Sequence, residues 1–188
     1  MDINASTYSD YMMLISPPPE VIEGISKYKK ASARLIGDFE GMYGKAHISL
    51  TSQYRQIPGL MMQKLDAYRK PVSSLNPVQL HINGFSFFKH GDTSATIYAK
   101  IELNAEVANW FIHLKRIFGD KNKTSIPHIT VVKNIPVELF KTLWPKFTDQ
   151  RYRYDFIPQS ITILSRPMIG GREHYWTPFK ELYFNNFR

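Results

Sequence analysis

Apolar residues are spaced along this chain in two ways, which predict strands in some stretches and helices in others. Residues 78–88 and 95–103 alternate between apolar and polar side chains, with a glycine-containing turn between them. A period of two residues is typical of strands with one buried face, so this region predicts a β-hairpin. Over residues 105–118 the apolar side chains recur every three or four positions, which predicts an amphipathic helix. Asn104 suits the cap of its first turn, and Gly119 suits its end.

The predicted elements occur in an order that repeats. An opening strand over residues 11–16 precedes the first unit, and the prolines at 17–19 begin the first helix. Each unit then runs helix, strand, helix and two strands. We therefore predict an α+β fold in which residues 1–188 form a single bilobal domain. Its αβαββ halves, about 10–103 and 105–188, would be related by a pseudo-two-fold axis, with antiparallel sheets around a central groove.

Prolines and glycines set the remaining boundaries. Residues 59–69 predict a short helix, and the proline-bounded segment 71–77 predicts a loop. In the second unit, residues 154–165 predict one strand. Polar residues at 120–125 predict a turn, and the Gly-Gly pair within 167–173 predicts a loop before the last strand.

The second element of each unit carries the same pattern of residues. The first copy is His47-Ile48-Ser49 and the second is His128-Ile129-Thr130. In a strand, successive side chains point to opposite faces, so each histidine shares a face with its hydroxyl residue while the isoleucine faces the core. The four other histidines lack a hydroxyl residue two positions on. Among them, His81 falls on an alternating strand and is expected to be exposed or to face the groove.

Composition narrows the class of protein. With 43% apolar residues the chain can form a sizeable core, and with no cysteine it has neither disulfides nor thiolate chemistry. A formal charge of +8 favours an anionic partner such as nucleic acid, although basic surfaces also serve solubility alone. The N-terminus has no basic segment, and the apolar run at 11–15 is too short for a signal peptide or membrane span. We therefore expect a cytoplasmic protein that does not bind membranes, with a monomer favoured.

Two facing imidazoles are suited to acid–base chemistry on a phosphodiester. Histidine titrates near neutral pH, so one ring can accept a proton from the attacking oxygen while the other donates one to the leaving oxygen. Ser49 and Thr130 could hydrogen-bond the phosphate oxygens on which charge accumulates. No His-Glu-x-x-His segment occurs and no carboxylate lies beside either motif, so we expect neither a metal ion nor a cofactor.

The paired motifs resemble the signature of the 2H phosphoesterase superfamily, which has one His-x-Thr/Ser motif in each lobe of an α+β fold. The chain is most similar to the branch containing the bacterial 2′-5′ RNA ligases, also described as RNA 2′,3′-cyclic phosphodiesterases. The resemblance extends from the Pro-Pro-Pro-Glu-Val segment to the C-terminal hairpin around 161–164 and 183–184.

The resemblance also implies a role for each site residue. His47 would donate the proton to the leaving oxygen, His128 would activate water, and Ser49 and Thr130 would bind the phosphate. Lys133 stands where many members carry a basic residue, often Arg. At two positions this sequence differs from the usual pattern of the superfamily, and both differences affect how the substrate would be held. Serine lacks the methyl group that stiffens threonine, and lysine cannot make the bidentate phosphate contact of arginine.

These observations predict a metal-independent phosphodiesterase that hydrolyses 2′,3′-cyclic phosphate or 2′-5′ linked RNA ends or nucleotides. The same groups run in reverse would join ends, as a 2′-5′ RNA ligase does. Two alternatives stay open at this point. One is a non-catalytic module that binds single-stranded RNA, and the other is a phosphodiesterase acting on a small cyclic nucleotide.

Overall fold

The computed structural model describes residues 8–121, 126–169, 172–173 and 175–185. Within these ranges the helices are α1 (Pro19–Ile36), α2 (Pro58–Ser73), α3 (Ala105–Ile117), α4 (Val137–Leu143) and α5 (Pro145–Thr148). The strands within them are β1 (Ser9–Ile15), β2 (Ile48–Gln56), β3 (Leu80–His90), β4 (Ser94–Ile101), β5 (His128–Pro136), β6 (Arg153–Phe156), β7 (Ser160–Ile169), β8 (Arg172–Glu173) and β9 (Thr177–Tyr183).

The described strands form one antiparallel sheet, which confirms the predicted α+β class. Its order is β6-β3-β4-β5-β2-β1-β7, with β8 and β9 both pairing with β7. Most neighbouring strands pair along much of their length, but β2 and β5 are joined by a single residue pair, Ile48 opposite Ile129. The sheet therefore has a narrow seam at its middle, between the two strands that carry the histidine motifs.

The strand order mixes the two halves of the chain. Strands β3 and β4 come from residues 10–103, but they pair with β5 and β6 from the second half. Strands β1 and β2 are likewise joined to β7 and β9. Each side of the seam is thus built from both halves, and strand pairing crosses the predicted boundary between 10–103 and 105–188.

Helices cover one face of this sheet, which we call the helix face; the opposite one is the polar face. Ile48 and Ile129 are fully buried, and Leu50 and Val131 are nearly so. These four side chains belong to one core cluster with residues from all five helices. Burying an isoleucine contributes about 1.5–3 kcal/mol, and a shift of one residue would move it to the other face. Core packing therefore fixes the direction in which the intervening polar side chains point.

The helix predicted after the hairpin has the expected ends. The Asn104 side chain accepts a hydrogen bond of 2.8 Å from the backbone N–H of Val107, which satisfies one free donor of the first turn of α3. Gly119 has φ of +78°, a left-handed conformation that glycine adopts without steric cost. Both predicted boundaries of α3 are confirmed.

Two predicted elements were wrong. Helix α2 continues through Pro71 to Ser73 instead of ending before a loop at 71–77, because the added turn buries Val72 completely. The single strand predicted over 154–165 is two strands, β6 and β7, interrupted by a segment containing Pro158. Proline cannot donate a sheet hydrogen bond, and the two strands pair with different partners, β3 and β1.

Some predictions fall partly outside the described residues. These are the N-terminal segment over 1–7, the turn over 122–125, and Gly170, Gly171 and His174. Strand β7 runs to Ile169, so the predicted loop begins later than Pro167. Among the described helices, none is long and apolar enough to cross a membrane.

Candidate active site

The central seam of the sheet brings four of the predicted site residues together. The two seam isoleucines face each other in antiparallel strands, so the residues on either side of them are also opposed. On the polar face the opposed pairs are His47 with Thr130 and Ser49 with His128. Each histidine is thus directly across from the hydroxyl residue of the other motif.

Both imidazole rings are held in the same orientation. Nδ1 of His47 lies 2.9 Å from the carbonyl oxygen of Lys45, and Nδ1 of His128 lies 2.7 Å from that of Ile126. A carbonyl oxygen can only accept, so in each ring Nδ1 carries the hydrogen and donates it. In the neutral ring, Nε2 is then free to accept a proton. In the charged ring, Nε2 carries a hydrogen and can donate it. The site therefore holds two equivalent groups ready to transfer a proton.

A buried lysine supports the loop that leads into the first motif. Lys29 on α1 is only 6% exposed, and its ammonium group donates 2.8 Å hydrogen bonds to the carbonyl oxygens of Gly41 and Gly44. Burial lowers the pKa of Lys29, because a charged amine is costly to remove from water. The two carbonyl dipoles compensate part of that cost. This contact fixes the chain three residues before His47.

Burial lowers the pKa of both histidines below the ordinary value. Hydrogen bonds to the two backbone carbonyls oppose that effect in each case. The pKa of His47 is lowered further by the positive charge of Lys29 and by that of His128 when it is protonated. Since each proton on one ring disfavours a proton on the other, the state with one neutral and one charged ring is favoured over the doubly charged state.

Aromatic rings surround the second histidine. The ring of His128 lies 5.0 Å from that of Phe88 and 5.1 Å from that of Tyr98, measured between centroids. Phe88 and Tyr98 are stacked on each other at 4.2 Å. Tyr98 lies opposite Thr130 in the sheet and is 5% exposed. Sequence reasoning missed both residues, because their alternating stretch indicated a strand but not which strand would lie beside β5.

Lys133 has a partner other than the predicted phosphate. Its ammonium group forms an ion pair with Glu40, in the loop that follows α1. Both side chains are more than half exposed, and such surface pairs contribute only about 0–1 kcal/mol. The pair is therefore easily exchanged, and a role for Lys133 in binding substrate stays a prediction.

With this geometry established, comparison with known proteins identifies the family. A family model described as the 2′-5′ RNA ligase superfamily matches residues 17–167. The chain belongs to this superfamily. The match covers both histidine motifs and confirms the resemblance drawn from them. No curated protein matches the chain in sequence.

Solved structures share the fold of this superfamily member at low sequence identity. Escherichia coli LigT complexed with NADP+ has a TM-score of 0.65 and 11% identity, covering 95% of this chain and 99% of LigT. TT0787 of Thermus thermophilus has a TM-score of 0.61 and 12% identity, covering 93% and 97%. Kluyveromyces marxianus Usb1 has a TM-score of 0.54 and 10% identity, covering 95% and 99%. The likeness extends over almost the whole of each chain.

The site has few side chains that could bind a metal ion. Among the residues that the structure describes, no three histidine, aspartate or glutamate side chains are grouped closely enough to hold a metal ion. The independence of the reaction from metal stays a prediction, which chelation tests below.

Proposed function

We propose that this protein is a phosphodiesterase that opens 2′,3′-cyclic phosphates, or cleaves 2′-5′ linkages, at RNA ends or on nucleotides by acid–base catalysis with two histidines and no metal ion. The observation that carries the proposal is the matched pair of imidazoles. Both rings donate Nδ1–H to the carbonyl two residues earlier, and each faces the hydroxyl of the opposite motif. Such a pair offers one proton acceptor and one donor to the same phosphate.

In this mechanism each group has one task. Nε2 of neutral His128 takes a proton from water, whose oxygen attacks phosphorus. As the bond from phosphorus to the ribose oxygen breaks, Nε2–H of protonated His47 donates its proton to that oxygen. Ser49 and Thr130 donate hydrogen bonds to the non-bridging oxygens, where negative charge grows in the transition state. Between turnovers, His128 releases the proton it gained to solvent, and His47 takes up a new proton from solvent.

Ligation uses the same groups. When a ribose hydroxyl takes the place of water, His128 removes its proton and its oxygen attacks the phosphorus of the cyclic phosphate. The ribose oxygen of the opened ring then leaves with the proton from His47. The product is then a joined phosphodiester, as in a 2′-5′ ligation. We propose that hydrolysis and ligation differ here in which acceptor is present. We further expect the protein to act as a cytoplasmic monomer.

The dependence of rate on pH follows from the two lowered pKa values. The productive free protein has one ring neutral and one charged, so kcat/KM should follow a bell-shaped curve. Because burial lowers the pKa of both rings below 6.5, the maximum should fall on the acidic side of pH 6.5. A rate limited by chemistry that rises steadily through this range would contradict the acid–base pair.

The direct test is hydrolysis of an oligoribonucleotide ending in a 2′,3′-cyclic phosphate, in the presence of EDTA. Wild type should turn over, and His47→Ala and His128→Ala should each lose about 10²–10⁴-fold in kcat. His113→Ala is the matched control, because His113 is exposed on α3 at the helix face and should leave the rate unchanged.

The other outcomes are equally informative. Loss of turnover in EDTA, restored by added metal, would contradict metal independence. A folded wild type that binds RNA tightly, loses that binding steeply with salt, and never turns over any cyclic phosphate would instead be the non-catalytic RNA-binding module.

A further inference from the structure

A row of polar side chains leads away from the histidine site across the sheet. Lys100 on β4 lies directly opposite His128 on β5. On the next strand, β3, Ile82 pairs with Ile101 and Phe85 with Ala99, and the bulge between these two pairs, which contains Asn83, lies beside Lys100. Strand β6 then places Arg153 opposite Asn83. The row His128, Lys100, Asn83, Arg153 therefore runs from the site to the edge of the sheet.

Strand geometry fixes the length of this row. Neighbouring strands lie about 4.8 Å apart, so Lys100 is one spacing from His128 and Arg153 is three spacings away, about 14 Å. All of these side chains are on the polar face, because Ile82 and Ile101 between them are buried on the helix face. The row is longer than one phosphate and continues the site in a single direction.

Two cavities lie along the row. One has a volume of about 510 Å³, and its lining includes Lys100, Tyr98 and Ile126. Tyr98 contacts the ring of His128, and Ile126 supplies the carbonyl that orients this ring. The second cavity, of about 550 Å³, extends to Arg153. Each volume is in the range of small-ligand sites, and the first cavity adjoins the proposed catalytic histidine.

Hydrogen bonds hold the polar groups of the outer cavity in place. Nδ2 of Asn83 donates to Oε1 of Glu102 at 2.5 Å, and Nε of Arg153 donates to Oδ1 of Asn83 at 3.2 Å. Nδ1 of His81 lies 2.8 Å from Oδ1 of Asp155 on the neighbouring strand. This network presents fixed donors and acceptors side by side, which is the arrangement that reads the edge of an unpaired base.

The lysine between the histidine and this network is available to a ligand. Lys100 is exposed, and within the described part of the chain its ammonium group has no hydrogen bond or ion pair. A free cation next to the reacting phosphate is suited to a second phosphate group. A mononucleotide, with its single cyclic phosphate held by the histidines, would leave both this cation and the outer network unused.

We propose that the row from Lys100 to Arg153 is a second subsite that binds the nucleotide next to the terminal cyclic phosphate of an RNA chain. This inference rests on the proposed function, and it makes a polyribonucleotide the preferred substrate over a mononucleotide. Lys100 contacts the phosphate that joins the last two nucleotides. Asn83, Glu102 and Arg153 contact the base of the nucleotide before the end.

The test compares two substrates in four proteins. The substrates are a 2′,3′-cyclic mononucleotide and a tetraribonucleotide with the same terminal nucleotide and cyclic phosphate. The proteins are wild type, Lys100→Met, Arg153→Met and the control Lys30→Met, which removes the same charge from an exposed position on α1 at the helix face. For wild type, kcat/KM should be at least about tenfold higher on the tetranucleotide, which corresponds to about one charged contact.

The ratio of the two kcat/KM values decides the outcome. It should fall about tenfold in Lys100→Met and by a similar or smaller factor in Arg153→Met, and it should stay at the wild-type value in Lys30→Met. The salt dependence on the tetranucleotide should also weaken by about one unit of log–log slope in Lys100→Met. Equal use of both substrates by wild type, or one ratio in all four proteins, would overturn the second subsite while leaving the proposed function intact.

A binding measurement keeps the subsite testable without turnover. The probe is a fluorescein-labelled tetraribonucleotide with a 3′-phosphate, whose affinity is measured by anisotropy. Lys100→Met should bind it about tenfold more weakly than wild type, with Lys30→Met unchanged. If no cyclic phosphate is turned over but this difference appears, the proposed reaction fails and the subsite stands. If Lys100→Met binds the probe as tightly as wild type, the subsite is wrong.

Discussion

The two histidine motifs share a backbone arrangement but differ in what surrounds them. Each ring donates Nδ1–H to the carbonyl two residues before it, and each faces a hydroxyl across the seam. Around His128 the neighbours are the rings of Phe88 and Tyr98, whereas the charge of Lys29 acts on His47. The shared part fixes where the proton-transfer atoms lie. The different part sets how readily each ring holds a proton. The charge of Lys29 disfavours a proton on His47, so the proposed state, with His47 charged and His128 neutral, is the less populated of the two singly protonated states.

The shared arrangement extends to the end of each strand. Arg55 on β2 and Asn134 on β5 both have positive φ, 53° and 48°. The backbone N–H of Arg55 donates to Asp10 at 2.8 Å, and that of Asn134 donates to Thr96 at 2.9 Å. In both cases the acceptor is a side chain of the adjacent outer strand. Each motif strand thus has a bulge with one left-handed residue near its end, which supports treating the two strands as equivalent scaffolds with different surroundings.

The strongest test of unlike roles uses a leaving group that needs no proton. On a 2′-deoxynucleoside 3′-(4-nitrophenyl phosphate), water must attack and 4-nitrophenolate leaves unaided. If His47 is the acid, His47→Ala should recover about 10²-fold relative to its loss on a cyclic phosphate, whereas His128→Ala should recover little. Release of 4-nitrophenolate is followed by absorbance. Equal recovery in both variants would mean that the roles are not divided in this way.

A second prediction concerns the aromatic side of the comparison. Phe88→Leu removes a ring that packs on both Tyr98 and His128, at a cost of about 1 kcal/mol. If the whole of that loss appears as poorer positioning of His128, kcat should drop about fivefold with little change in KM. Phe87→Leu is the control, because Phe87 packs on Phe140 and Trp144 at the helix face. A drop of the same size in the control would show a general loss of stability instead.

A third prediction concerns the charged side. Lys29→Met removes the positive charge that lowers the pKa of His47, so this pKa should rise, and that of His128 should change less. An NMR titration of the two rings measures both values. In wild type the pKa of His47 should be the lower of the two, because the charge of Lys29 acts on it, whereas the repulsion between the two rings is shared. If Lys29→Met leaves the titration of His47 where it was, the difference in surroundings has no electrostatic consequence.

The smallest effect is expected where the motifs differ in sequence. Ser49→Thr makes the first motif like the second, adding a methyl group that restricts χ1 without removing the hydroxyl. Ser49 is exposed on the polar face, so the methyl group has room. The rate should change by no more than a few-fold. Ser49→Ala, which removes the donor, should cost about 10²-fold if the hydroxyl stabilises the transition state. Nearly equal rates for Ser49→Ala and wild type would exclude that role.

Part of the site could be predicted from sequence because it depends on local periodicity. The alternation around Ile48 and Ile129 determines which side chains share a face, and it does so without knowledge of the neighbouring strands. Strand partners are set by contacts between residues distant in the chain. The local sequence therefore does not show that β3 and β4, from the first half, lie beside β5 from the second half. For the same reason Lys100 and Phe88 were not recognised as neighbours of His128. The break at Pro158 does have a local signal, because proline cannot donate a sheet hydrogen bond, although the apolar pattern of residues 154–165 predicts one continuous strand.

The single residue pair at the seam has a mechanical consequence. A sheet resists bending where its hydrogen-bonded ladder is continuous, and here the ladder is reduced to Ile48 and Ile129 between two wide, well-paired sides. The seam therefore has fewer hydrogen bonds than either flank. Because one histidine motif lies on each flank, a small rotation about this line would change the distance between the two imidazoles while each ring keeps the hydrogen bond to its own carbonyl. We therefore expect the opening of the site to adjust to the width of a phosphate without deforming either motif.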